Sequence, residues 1–78
     1  MHKPQIKMNK KESKIIISKL SDICDISKNC LLIKQKSETI FEIHIKKTPQ
    51  EREWLCLENI ISEHNLRLNI NKNFIIIY

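Results

Sequence analysis

Seventy-eight residues with a formal net charge of +5 make one small, basic domain spanning 1–78. A chain of this length buries only about 60% of its unfolded surface, so the core is thin and a deep catalytic cleft is not expected. Glycine is absent, which excludes the common phosphate-cradling loops, and no apolar run suits a membrane span or a signal peptide; the expectation is a soluble protein.

Residues 4–9 (PQIKMN, after Lys3) read as a short edge strand, with Pro4 tolerable only at a strand start or edge. The next segment predicts a helix: Ile16, Leu20, Ile23 and Cys24 recur at helical spacing, Ile17 widens the stripe, and Ser13 is the expected cap. The run Ile15-Ile16-Ile17 also fits a strand. From Asn29 to Lys47 the pattern is a hairpin, with Leu31 and Ile33 on one side and Lys34 and Lys36 on the other. In the returning strand Phe41, Ile43 and Ile45 alternate with Glu42, His44 and Lys46, as in a sheet with one wet face. The turn near Lys36-Ser37-Glu38 has no glycine, so a loop longer than two residues is expected.

TPQE (48–51) predicts a second helix start. Thr48 would cap it, Pro49 would take the first position and Glu51 would complete a capping box. Trp54, Leu57, Ile60 and Ile61 give the apolar stripe, which runs on to His64, and Asn65 takes the left-handed closing position. Leu66, Leu68 and Ile70 then alternate with Arg67 and Asn69; NKN turns the chain, and FIIIY is the last strand. The order is (β)αββαββ, and its economical packing is α+β: a mainly antiparallel sheet with two helices on one face.

Cys24, Cys30 and Cys56 are odd in number and irregularly spaced, which argues against a disulfide framework. Three reduced thiols in a reducing compartment are therefore expected. No close Cys pair suggests zinc, so no metal site is expected. His44 lies between charged neighbours on the polar strand face. The charge of His64 suits the end of its helix without any further role. No serine or cysteine has an evident base beside it, so no catalytic residue, cofactor or small-molecule substrate is expected.

Alanine and valine are also absent, while isoleucine occurs 16 times, lysine 12 and asparagine 7, the set that AT-rich codons favour. Part of the positive charge is therefore compositional. Its distribution is uneven: residues 1–20 carry +5, 28–47 carry +3, and 48–64 carry −3. Lys34, Lys36, Lys46, Lys47 and Arg67 are expected to share one rim or face of the sheet, a modest polyanion footprint. The plain alternative is a solvated face whose lysines discourage edge pairing. Interleaved aromatics are not evident, since the alternation assigns most of Phe41, Trp54, Phe74 and Tyr78 to the core. Lys46 and Lys47 precede a helix N-terminus, where the dipole and open amides favour an anion, so two readings stand side by side: a phosphate seat, or merely the solvated end of a strand.

The segments LLIKQKSETIFEI, TPQEREWLCLENIISEHNLRL (with Asn65-Leu66-Arg67 at its exit) and FIIIY resemble, in order and spacing, the eukaryotic large-subunit ribosomal protein L-twenty-two family. The resemblance covers roughly residues 5–78. It implies a structural constituent of the large ribosomal subunit, cytoplasmic and on the ribosome, with ribosomal RNA and neighbouring large-subunit proteins as partners. The chain departs from the family in its long helix, which matches the basic pattern only at Arg52 and carries Glu51, Glu53, Glu58 and Glu63. The connection before the hairpin is also shortened to SKN. The RNA contacts implied for this chain are Lys7, Lys10, Lys11, Lys14, Lys34, Lys36, Lys46, Lys47, Arg52 and Arg67. The alternative, from a different class, is a small protein-interaction module, such as a viral or mobile-element inhibitor or adaptor, that pairs through a sheet edge.

Overall fold

The computed structural model describes residues 8–72 and 74–78. The strand expected over 4–9 lies almost wholly outside them, as does Lys7. Two helices pack on one side of a four-stranded antiparallel sheet, the α+β arrangement expected.

Helix α1 spans Lys10–Asp22. Its cap is Asn9, not Ser13: the Asn9 side-chain oxygen accepts the Glu12 N–H at 2.7 Å. Ser13 lies inside the first turn, buried, and donates its hydroxyl to the Lys10 carbonyl at 2.7 Å. An amide side chain four residues upstream reaches the open N–H groups, and a hydroxyl already engaged by the turn does not. Ile16, Leu20 and Cys24 are buried as the spacing predicts, whereas Ile23, just past the last turn, faces solvent.

A single 3-10 turn over Lys28–Cys30 leads into strand β1 (Leu31–Gln35), which pairs with β2 (Phe41–Ile45). The connection has five residues, and the N–H groups of Lys36 and Ser37 both donate to the Ile40 carbonyl. This is the longer loop that a turn without glycine requires. Helix α2 covers Glu51–Glu63, followed by β3 (Leu68–Ile70) and β4 (Ile75–Ile77). The strand order is β1-β2-β4-β3, so β4 inserts between β2 and β3.

The start of α2 corrects the expected capping box. Gln50 is the cap, and the Glu53 carboxylate accepts the Gln50 N–H at 2.7 Å. Thr48 is exposed, and Pro49 precedes the cap, buried, in place of the first helical position. The box is thus built two residues later than its hydroxyl version, with the reciprocal glutamate at 53 and not 51. The exit matches expectation. Asn65 has φ 56°, its N–H donates to the Ser62 carbonyl, and the Leu66 N–H donates to the Ile61 carbonyl. This is a Schellman closure with asparagine standing in for glycine. Asp25 also has a positive φ, 59°, just beyond α1; Asn and Asp tolerate this region better than other residues with a Cβ.

The core lies between helices and sheet: Ile16 and Leu20 of α1, Leu57 and Ile60 of α2, and Ile43, Ile45, Ile75 and Ile77 of the central strands. Polar groups also tie the helices together. The Lys19 ammonium donates to His64 Nε2 at 3.0 Å and to Glu63 at 3.2 Å, which leaves the His64 proton on Nδ1, facing Glu12 at 3.6 Å.

The expectation of three free thiols is overturned. Cys24, where the chain leaves α1, and Cys56, on α2, form a disulfide, and only Cys30 carries a free thiol. The two residues are separated by 32 positions, and the packing of the helices brings their α-carbons to 5.5 Å. Sequence spacing carries no trace of that approach.

Candidate nucleic-acid interface

Strict alternation divides the side chains of the sheet. Ile43, Ile45, Ile75 and Ile77 meet the helices, so their neighbours in sequence turn to the helix-free face. The register aligns Leu32, His44, Ile76 and Asn69 in one row across that face. Lys34 stands opposite Glu42 in the next row. Arg67 and Tyr78 extend β3 and β4 as a backbone-bonded pair, and alternation puts both on the same face. On the other side of the His44 row, the Lys46 N–H donates to the Cys30 carbonyl, and the Lys46 side chain joins Lys34, Leu32, His44 and Phe74 around a groove of about 320 Å³.

Two interactions fix the floor of this groove. Glu42 and His44 are bonded at 3.0 Å, both side chains 17% exposed. A carboxylate only accepts, so the proton lies on His44 Nε2. The imidazole stacks on the Phe74 ring, with centroids 5.4 Å apart and planes within 12°. This is the offset-parallel arrangement that aromatic rings favour.

The structure divides the predicted basic residues into three groups. Lys34, Lys46 and Arg67 share the helix-free face, and Lys36 is exposed in the adjoining turn. Lys10 and Lys11 lie on the first turn of α1, exposed, and border a separate groove with Gln35, Glu38 and Phe41; Lys14 is exposed one turn further on. Arg52 is exposed on α2, among the acidic residues of the helix layer. Lys47 belongs to none of these groups.

The phosphate seat, one of the two readings of the strand-to-helix corner, is not assembled. The Lys47 ammonium lies 3.1 Å from a carboxylate oxygen of Glu53, which is itself only 6% exposed and already accepts from Gln50. That amide bond, reinforced by Lys47 against the opposing effect of burial, holds the Glu53 carboxyl below its ordinary value. An internal carboxylate thus takes the place an external anion would have. Lys46, next in sequence, turns to the opposite side of the sheet, because successive strand residues alternate.

Sequence reasoning missed Phe74. The expectation assigns most of the four aromatics to the core and gives Phe74 no role, yet Phe74 alternates with the buried Ile75 and Ile77 and stacks on His44 at the wet face. The parity of the last strand held that signal. His44 lies on the polar face as expected, but its stacking partner, just before β4, is 30 residues away and has no local signature.

Among the described residues there is no group of three metal-ligating side chains, and no helix is long and apolar enough to cross a membrane. No family model, curated protein or solved structure matches the chain, so the fold and this face are what bear on its function.

Proposed function

We propose that this protein binds RNA through the helix-free face of its sheet, as a structural constituent of the large ribosomal subunit. The observation that carries the reading is the gathering of Lys34, Lys46 and Arg67 on the one sheet face that no helix covers. Among the described residues, none of the ion pairs engages these three cations. Glu42, which faces Lys34, is held by His44. The acidic α2 lies on the other side of the sheet, away from a polyanion docked on this face. Phosphate contacts of this kind fix position and orientation and carry no base information. The ribosomal setting, with ribosomal RNA and neighbouring large-subunit proteins as partners, comes from the family resemblance alone. A disulfide and a reducing cytoplasm pull against each other, so binding is to be measured with the bridge intact and reduced.

The test is filter binding across a salt series, with a ribosomal RNA fragment and an unrelated hairpin. Three phosphate contacts give a logarithmic salt slope of about −3, taking the duplex DNA coefficient as a guide. Lys34→Ala combined with Lys46→Ala should reduce that slope by about 2 and weaken both RNAs alike. Lys47→Ala and Arg52→Ala should leave the slope unchanged. A flat salt response refutes the RNA reading and favours the second reading, partner pairing at an edge of the sheet. That reading draws on β3, an edge strand whose Ile70 is 63% exposed. Sedimentation of the native protein with large subunits in a sucrose gradient tests the ribosomal assignment separately.

A further inference from the structure

We infer that the groove between Lys34 and Lys46 is a seat for an unpaired nucleobase, stacked on the Phe74–His44 pair. The inference rests on the RNA reading above and specifies the form of RNA: single-stranded or looped segments with unstacked bases. Four features of the groove support it.

The first is the stack itself. Phe74 is half-buried at the helix-free face and is not part of the hydrophobic core cluster, and its ring lies nearly parallel to His44. A flat base added to such a pair extends the π surface, and every base has a face to offer. The second is rigidity. Glu42 holds His44 by a 3.0 Å hydrogen bond, so the lower ring of the platform has its tautomer and orientation set before any ligand arrives.

The third is the polarity of the surroundings. Leu32 and Ile76 flank His44 in its row, so the floor is apolar and aromatic and the walls are cationic. Lys34 and Lys46 lie one row to either side of His44. The strand rise puts their α-carbons roughly 14 Å apart along the strand direction, cations at both ends of one groove. A base on the floor between phosphates at the ends matches that distribution, whereas a purely apolar ligand leaves both ammonium groups unused. The fourth is access. The faces of a base inside a duplex are covered by its neighbours, and A-form helices present phosphates, hydroxyls and base edges; only an unpaired base offers a free face to Phe74.

The test uses the full chain and a labelled single-stranded oligonucleotide of about eight nucleotides, within the site sizes typical of small single-strand binders. A central base is replaced by the fluorescent analogue 2-aminopurine, and a duplex of the same sequence is measured in parallel. Wild-type protein should bind the single strand more tightly than the duplex and quench the analogue. Phe74→Leu, which keeps an apolar side chain and removes the ring, should weaken single-strand binding by about 10-fold, abolish quenching and leave duplex binding unchanged. Phe74→Tyr should restore both affinity and quenching, and that rescue separates loss of stacking from damage to the fold. Wild-type affinity and quenching in Phe74→Leu would overturn the base seat. If both RNAs bind with the same steep salt dependence whatever stands at position 74, the phosphate-binding reading survives and the base seat does not. If neither RNA binds in a salt-sensitive way, both readings fall together.

Discussion

Reduction of the Cys24–Cys56 bridge is the perturbation with the largest expected effect on this fold. The bridge closes a loop spanning 32 sequence positions, from the end of α1 through the first hairpin to the middle of α2. In the chain-entropy account, closing a loop of this length removes about 12 cal/mol/K from the unfolded ensemble, or about 3.7 kcal/mol at 25 °C. At the usual 0.05–0.15 kcal/mol per residue, a domain of this size has roughly 4–12 kcal/mol in total, so the bridge would account for a third or more of it. The assay is urea unfolding of the oxidised protein, with and without a non-thiol reductant. With a denaturant slope of about 1–2 kcal/mol per molar, reduction should lower the midpoint by roughly 2–4 M. Cys30→Ser serves as the background, because it removes the third thiol and with it any exchange among the sulfurs. Thiol labelling after denaturation should count one free sulfur in the oxidised wild type. A count of three, or coincident unfolding curves with and without reductant, would refute the reasoning.

Asn9→Ala should cost about 1 kcal/mol in a thermal or chemical melt, because the Glu12 amide loses its acceptor. Thr48→Ala should change stability by no more than about 0.5 kcal/mol, since Thr48 is exposed and caps nothing; a loss near 1 kcal/mol would mean that α2 starts at Thr48 after all. Glu53 sets an acid limb. Its carboxyl is held below its ordinary value near 4.5, first by the Gln50 amide and then by Lys47, so the stabilisation is complete above that value and is lost as pH falls through the lower folded value. Glu53→Gln should therefore be less stable than wild type at neutral pH and show a flatter decline below about pH 4.5; parallel acid limbs would remove Glu53 from that account.

Periodicity and capping chemistry made the local structure legible. The alternation of Phe41, Ile43 and Ile45 with Glu42, His44 and Lys46 assigned each residue to the face it occupies, because a strand has a period of two and only one face of this sheet is covered. The Asn65 closure of α2 was equally readable, since few residues other than glycine tolerate a left-handed position. Both helices start at a residue other than the expected cap, for one shared reason. Ser13 and Thr48 have the right chemistry, but the Asn9 side chain closes the start of α1 and the Gln50–Glu53 pair the start of α2, and several polar residues near each start offer more than one cap. What tertiary structure alone decided is whatever depends on elements far apart in sequence. The insertion of β4 between β2 and β3 brings Phe74 onto His44 and puts Arg67 on the same face as Lys34 and Lys46. The packing of α1 on α2 joins Cys24 to Cys56, and the fold of the corner turns Lys47 inward to Glu53 while Lys46 faces out. Local pattern records which way a side chain points from its own backbone; which partner it meets there is set by strand order and helix packing, and these follow from burying the whole core at once.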